Sequence, residues 1–223
     1  MWPDTADSLV ALQERLAVTT PSRWQPGGSR LAIGGCWVCF PRGNTGRGGA
    51  GDPAWVAAVV MDGYRVVERW AGRGETAAAY QPGLLALRVG QLMEDAVRAL
   101  DAPPDVLLVD ATAADHPRRA GLALHLGEVL GIPTIGLTHR PLLADGDWPA
   151  DERGATSPVR IGGTVVGCWM RTRPGTRPLV VHPGWRVDLD TAVEIVRRTT
   201  PRRRTPEPLR RARQLARRTR ATN

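Results

Sequence analysis

The chain has 223 residues, enough for one well-buried domain and too few to divide comfortably into two. No apolar run is long enough to cross a bilayer, and "MWPDTADSLVALQERL" carries acids where a signal peptide has a basic stretch, so a cytoplasmic protein with no membrane partner is expected. The net charge of +8 rests on arginine alone, since there is no lysine, and eleven arginines lie at or beyond Arg197 against the single acid Glu207.

In chain order, residues 5–18 place Leu9, Val10, Leu12 and Leu16 at helical spacing. "RLAIGGCWVCF" (30–40) predicts a buried strand, and "PRGNTGRGGAGDP" (41–53) a glycine-rich connection. "AWVAAVVM" and "YRVVERW" flank Asp62-Gly63, a strong hairpin signal, so three antiparallel strands in a row are expected. A helix over 84–100 ends before Pro103-Pro104. Strand 105–110, helix 118–131 and strand 133–138 form a unit that argues for parallel pairing. A second hairpin over 159–171 turns at Gly162-Gly163, strand 178–184 follows, and Asp188 caps a helix over 188–198. Beyond residue 200, "PEPLRRARQLARRTR" sets Leu209, Ala212, Leu215 and Ala216 against arginines. The expected division is a single domain over 1–200 and an arginine-rich C-terminal helical tail over 201–223.

Cys36 and Cys39 have C-x-x-C spacing, but residues three apart on a strand point to opposite faces, so they are read as buried thiols rather than a metal site. The stretch with the most chemistry is "VDATAADHPRR" (109–119): Asp110 ends an apolar strand, a position suited to a metal or substrate. His116 either orients a phosphate or a water-bound metal, or is a structural residue that pairs with Asp110. Arg118 and Arg119 open the following helix, where they either contact phosphate or are ordinary surface residues. A meander followed by strand–helix–strand resembles the α/β ribonuclease-H-like arrangement, a mixed sheet flanked by helices.

Four stretches together, "AYQPGLLALR" (79–88), "LLVDATAADHPRRAGLALHLGEVLGIPTIGLT" (107–138), "HPGWRVDLDTAVEIV" (182–196) and "TPEPLRRA" (205–212), resemble the endonuclease V family in order and spacing. The resemblance covers nearly the whole chain. It implies the endonuclease V type of ribonuclease-H-like fold and Mg²⁺-dependent cleavage of DNA or RNA near inosine. It also implies that Trp37 stands where the family has a first-strand aspartate, Val89 where it has a glutamate, His139 where it has a lysine and Trp185 where it has a histidine. Asp110 is kept, and so in part is the wedge motif, as Tyr80-Gln81-Pro82-Gly83.

With one acid left at those positions, no cofactor is expected, or Mg²⁺ if some nuclease activity remains, held by Asp110 with Asp115 as a possible second acid. Asp110 then needs a cation or hydrogen-bond donor, for which His116, His139 and Arg140 are the candidates. Tyr80 is either a wedge that opens stacked bases or a turn residue, and Trp37 and Trp185 are either a stacking platform or core filling. Three functions follow: a nucleic-acid-binding homologue with its catalysis impaired, whose tail adds salt-dependent affinity or a protein contact; a repurposed pocket for a planar ligand around Asp110, His116, His139 and Cys36 or Cys39; or weak Mg²⁺-dependent cleavage through Asp110 and Asp115.

Overall fold

The computed structural model describes residues 2–28, 30–43 and 46–222; Asn44 and Thr45 of the glycine-rich connection lie outside the described residues. Helix α1 (Ala6–Val18) starts at Thr5, whose hydroxyl accepts from the Ser8 amide while the Ser8 hydroxyl accepts from the Thr5 amide. Strands β1 (Ala32–Cys39), β2 (Pro53–Asp62) and β3 (Arg65–Glu75) form the expected meander, and Gly63 takes the positive φ of 57° that the tight turn requires. Helix α2 (Leu85–Arg98), β4 (Val106–Val109), helix α3 (Leu122–Leu130) and β5 (Thr134–Thr138) follow. The second hairpin is β6 (Thr156–Ile161) and β7 (Thr164–Met170), and β8 (Leu179–Pro183), α4 (Leu189–Thr199) and α5 (Glu207–Thr222) complete the chain.

All eight strands join one sheet in the order β3-β2-β1-β4-β5-β8-β7-β6. The β1–β4 and β4–β5 pairs are parallel and the others antiparallel, so the three central strands point the same way and their carboxyl ends form one edge. Alternation along each strand builds two cores. Cys36, Leu107 and Val109 pack under α1, α2 and α3, whereas Ile33, Val106, Leu108 and Ile135 pack under α4 and the start of α5. Cys36 and Cys39 are both buried and face opposite layers.

The arginine-rich segment past residue 200 contributes to the second core. Leu209, Ala212 and Ala216 of α5 are buried, and the helix lies across β1 and β2. Gly35 makes this approach possible: a β-carbon there would come within 2.4 Å of the Pro208 carbonyl carbon. The segment is therefore one of the layers of the domain, with its arginines on the outer and edge-facing sides.

Helix α3 starts four residues later than the 118–131 range expected from the sequence. The loop after β4 folds back onto its start, where the Gly121 and Ala123 amides donate to the carbonyls of Ala113 and Thr112. Arg119 sits at φ 58° in the connecting turn. Arg118 and Arg119 therefore belong to this turn and not to the first turn of the helix.

Candidate functional site

The last paired residues of β1 and β4 are Cys36 and Val109, so the next residues, Trp37 and Asp110, stand side by side at the carboxyl edge of the sheet on the α5 face. The same face of β1 carries Gly35, against which the Pro208–Leu209 peptide of α5 lies. Two residues along a strand and four along a helix both advance about 6 Å. Arg213 is thereby brought over Trp37, its guanidinium carbon 5.5 Å from the ring centroid. Its charge also acts on Asp110, with no direct ion pair between the two. Asp110 remains solvent-accessible but is ringed by cleft walls, and this desolvation raises its pKa to about 6, against the opposing pull of Arg213.

Beside Asp110 opens a cleft of about 200 Å³, walled by Leu85, Ala86, Leu122 and Leu142, with Tyr80, Thr112 and Thr138 among its polar groups. One rim is the turn Tyr80-Gln81-Pro82-Gly83, and a three-donor clamp on the Gly83 carbonyl holds it. That oxygen accepts from Gln13 Nε2 at 3.1 Å, Arg118 Nη2 at 2.9 Å and His116 Nε2 at 3.0 Å. The Arg118 amide donates to His116 Nδ1, which fixes the tautomer with its proton on Nε2. Burial lowers the His116 pKa to about 4, so the ring is neutral at pH 7. Gly83 itself adopts φ +77°, and a β-carbon there would meet Arg118 Nη2 at 3.2 Å. Tyr80 projects from this fixed turn and is 39% exposed.

The expected site residues thus separate into groups. Asp110, Tyr80, Gly83 and His116 line the cleft, and Arg118 supports it from behind; Pro82 is in the clamped turn. His116 does not pair with Asp110, because both ring nitrogens are committed to the clamp. His139 keeps much of its surface in solvent, and its Nδ1 faces Arg204 Nη1 at 3.0 Å; partial desolvation of the ring and then the charges of Arg204, Arg213 and Arg177 lower its pKa. Val89 lies in the α2 core. Trp185 lies at the opposite end of the strands, bonded through its backbone to Thr134 at the start of β5 and packed by its β-carbon against Gly127, so it fills no part of the cleft.

Asp115 is fully buried, and its two oxygens accept the amides of Leu142, Leu143 and Ala144 at 2.7–2.8 Å. It shapes the loop that carries Leu142 and does not line the cleft. The cation that acts on Asp110 is Arg213, rather than His116, His139 or Arg140. Its only sequence signal is its place four residues after Leu209 on an amphipathic helix.

Mg²⁺ takes hard oxygen ligands, usually one or two carboxylates besides water and substrate oxygens. Asp110 offers one carboxylate, Trp37 no oxygen, and Arg213 a positive charge in the same place. Among the described residues no three His, Cys, Asp or Glu side chains are grouped to hold a metal. The donor set does not fit a resident divalent cation.

A model of the family described as Endonuclease V matches residues 28–214. The chain belongs to the endonuclease V family. Endonuclease V of Streptomyces avermitilis is 36% identical over 222 residues, covering 97% of this chain and 93% of that protein. A crystal structure of the Streptomyces avermitilis endonuclease V has a TM-score of 0.86 to this chain, with 100% of this chain and 96% of that one covered. Endonuclease V of Ciona intestinalis, solved in complex with a 24mer DNA containing an inosine followed by a ribo-adenosine, is 21% identical with a TM-score of 0.80, covering 97% of each chain. The ribonuclease-H-like mixed sheet flanked by helices is therefore that of endonuclease V, and no helix among the described residues is long and apolar enough to cross a membrane.

Proposed function

We propose that this endonuclease V-family chain binds nucleic acid in the cleft beside Asp110 without carrying out metal-dependent phosphodiester cleavage at an ordinary enzymatic rate. The observation that carries the reading is the trio at the sheet edge: a single carboxylate, a tryptophan in the neighbouring strand position, and an arginine facing both. Hydrolysis assisted by Mg²⁺ needs the ion to polarise the phosphate and help generate hydroxide, and each ~1.4 kcal/mol of lost transition-state stabilisation costs about tenfold in rate. The apolar walls and threonines of the cleft suit a flat, polar-edged ring such as an extruded base, and Tyr80 at the rim is placed to stack on a neighbouring one. The DNA complex of the Ciona intestinalis relative supports nucleic acid as the ligand class. No cofactor is needed for binding on this reading.

The test is a titration of labelled single- and double-stranded oligonucleotides, with and without a central inosine, at two salt concentrations and with Mg²⁺ or Mn²⁺. Binding that weakens with salt and yields no cut product is expected. A cut near inosine, abolished by chelator and by Asp110→Asn, overturns the reading and restores Mg²⁺-dependent cleavage. The same cleft also fits a small planar ligand, and saturable, salt-independent binding of free nucleoside with none of oligonucleotide favours that use of the fold.

A further inference from the structure

Arg213 is half-buried, and among the described residues its guanidinium donates no hydrogen bond to the protein. Five N–H donors in a planar fork are thus held against a tryptophan face with no acceptor. Several other buried or half-buried arginines are satisfied, although Arg119 also keeps a buried Nη1 without a partner among the described residues. Arg88 donates to Gly49, Ala78 and Asp52, Arg118 to Gln13 and Gly83, and Arg204 to Arg177 and Pro178. Asp110 does not form a direct ion pair with Arg213, and no other carboxylate is drawn to it.

The surroundings are cationic. Arg210 and Arg217 lie near enough on α5 to repel Arg213, and Arg204, Arg177 and Arg213 all act on His139 across the same edge. A divalent metal brought to Asp110 meets this repulsion, whereas a phosphodiester meets a pre-oriented fork with its donors open.

We propose that Arg213, stacked on Trp37 beside Asp110, is a fixed cation that binds a backbone phosphate of the nucleic acid in the cleft, so that binding requires no divalent metal. This rests on the nucleic-acid reading above and adds to it a named residue and independence from metal. Trp37 holds the guanidinium over its ring face, and Gly35 sets the helix at the distance that brings the two together. The group binds an anion and performs no chemistry.

Anisotropy of a labelled single-stranded oligonucleotide is measured for the wild type, Arg213→Ala, Arg213→Lys and Arg218→Ala, in chelator and in Mg²⁺. Arg218 is an exposed arginine of the same helix and controls for loss of one charge. The expected result is metal-independent binding by the wild type. Arg213→Ala loses about tenfold or more, the range of a charge-assisted fork, Arg213→Lys falls between, and Arg218→Ala stays within about twofold. Thermal melts of each variant check folding, and inorganic tripolyphosphate in chelator serves as a second probe whose stabilising shift is lost in Arg213→Ala.

Equal losses in Arg213→Ala and Arg218→Ala, or wild-type binding that requires Mg²⁺, overturn the proposal. If no oligonucleotide binds, the nucleic-acid reading falls. In that case an Arg213-dependent tripolyphosphate shift still supports the anion site, and its absence removes it.

Discussion

Asp115 is the sharpest place to separate a structural carboxylate from a catalytic one. Its side chain is 0% exposed, with Leu143 and Ala144 donating to Oδ1 at 2.8 Å and Leu142 donating to Oδ2 at 2.7 Å. Asp115→Asn keeps one acceptor oxygen and turns an amide NH₂ against the remaining N–H. The loss is one charge-assisted bond of about 1.5–3 kcal/mol, plus the weakening of the other two as the acceptor becomes neutral. A destabilisation of roughly 2–4 kcal/mol is expected, and Asp115→Ala, which strands all three amides, should cost on the order of 3–5 kcal/mol. Urea unfolding monitored by circular dichroism reads this as a fall in midpoint at unchanged slope. Faster hydrogen exchange at the amides of residues 142–144 localises the effect. Wild-type stability in Asp115→Asn, together with loss of a Mg²⁺-dependent activity, would refute the structural assignment and make Asp115 a ligand.

Burial holds His116, His125 and His182 at pKa values of about 4, below the unfolded 6.5. Between those values the unfolded chain binds more protons, so their stabilising contribution is complete above pH 6.5 and is lost as pH falls toward 4, by about 1.4 kcal/mol per pH unit for each fully titrating histidine. Asp110, raised to about 6, partly offsets this in the same window, because its folded form binds the extra proton. Among the described residues the His125 ring makes no hydrogen bond, and it packs at a tilt against Trp2 with ring centroids 4.1 Å apart, so His125→Phe should reduce the pH slope of unfolding free energy by about one proton; an unchanged slope between pH 6.5 and 4.5 refutes the assignment. Arg88→Ala leaves Asp52 and two carbonyls without their buried partner and is expected to cost about 3–5 kcal/mol, with Arg88→Lys recovering less than half because an ammonium cannot span the three acceptors. Rescue to wild-type melting by lysine counts against that geometry. Tyr80→Ala should leave stability within about 0.5 kcal/mol yet weaken oligonucleotide binding by about 1–3 kcal/mol, whereas unchanged affinity makes Tyr80 a turn residue only.

The fold was legible because its signals are local. Asp62-Gly63 and Gly162-Gly163 mark both hairpins, and the apolar runs at 105–110 and 133–138 have the continuous character of strands covered on both faces. The start of α3 was not legible, because Arg118, Arg119 and Ala120 are good helix formers by local propensity, yet a non-local contact removes them from the helix. The carbonyls of Thr112 and Ala113 take its first amides, which no helical pattern can reveal.

The site divides along the same line. Asp110 was visible as an acid at the end of a strand, and Tyr80-Gln81-Pro82-Gly83 was visible through its resemblance to the family's wedge motif. Their partners were not, since Gln13, His116 and Arg118 meet on one carbonyl oxygen from three separate parts of the chain. Arg213 was hidden most completely. In sequence it is one of eleven arginines in a basic terminal segment, and counting charge makes it equivalent to the rest. Two short steps make it different: Gly35 admits the backbone of α5, and one helical turn past Leu209 then falls on the residue two places past Gly35. The spacing matters only once helix and strand are known to touch. A bulkier residue at 35 should therefore displace Arg213 from Trp37 as surely as mutating the arginine itself, and Gly35→Val is expected to lower stability and Arg213-dependent binding together.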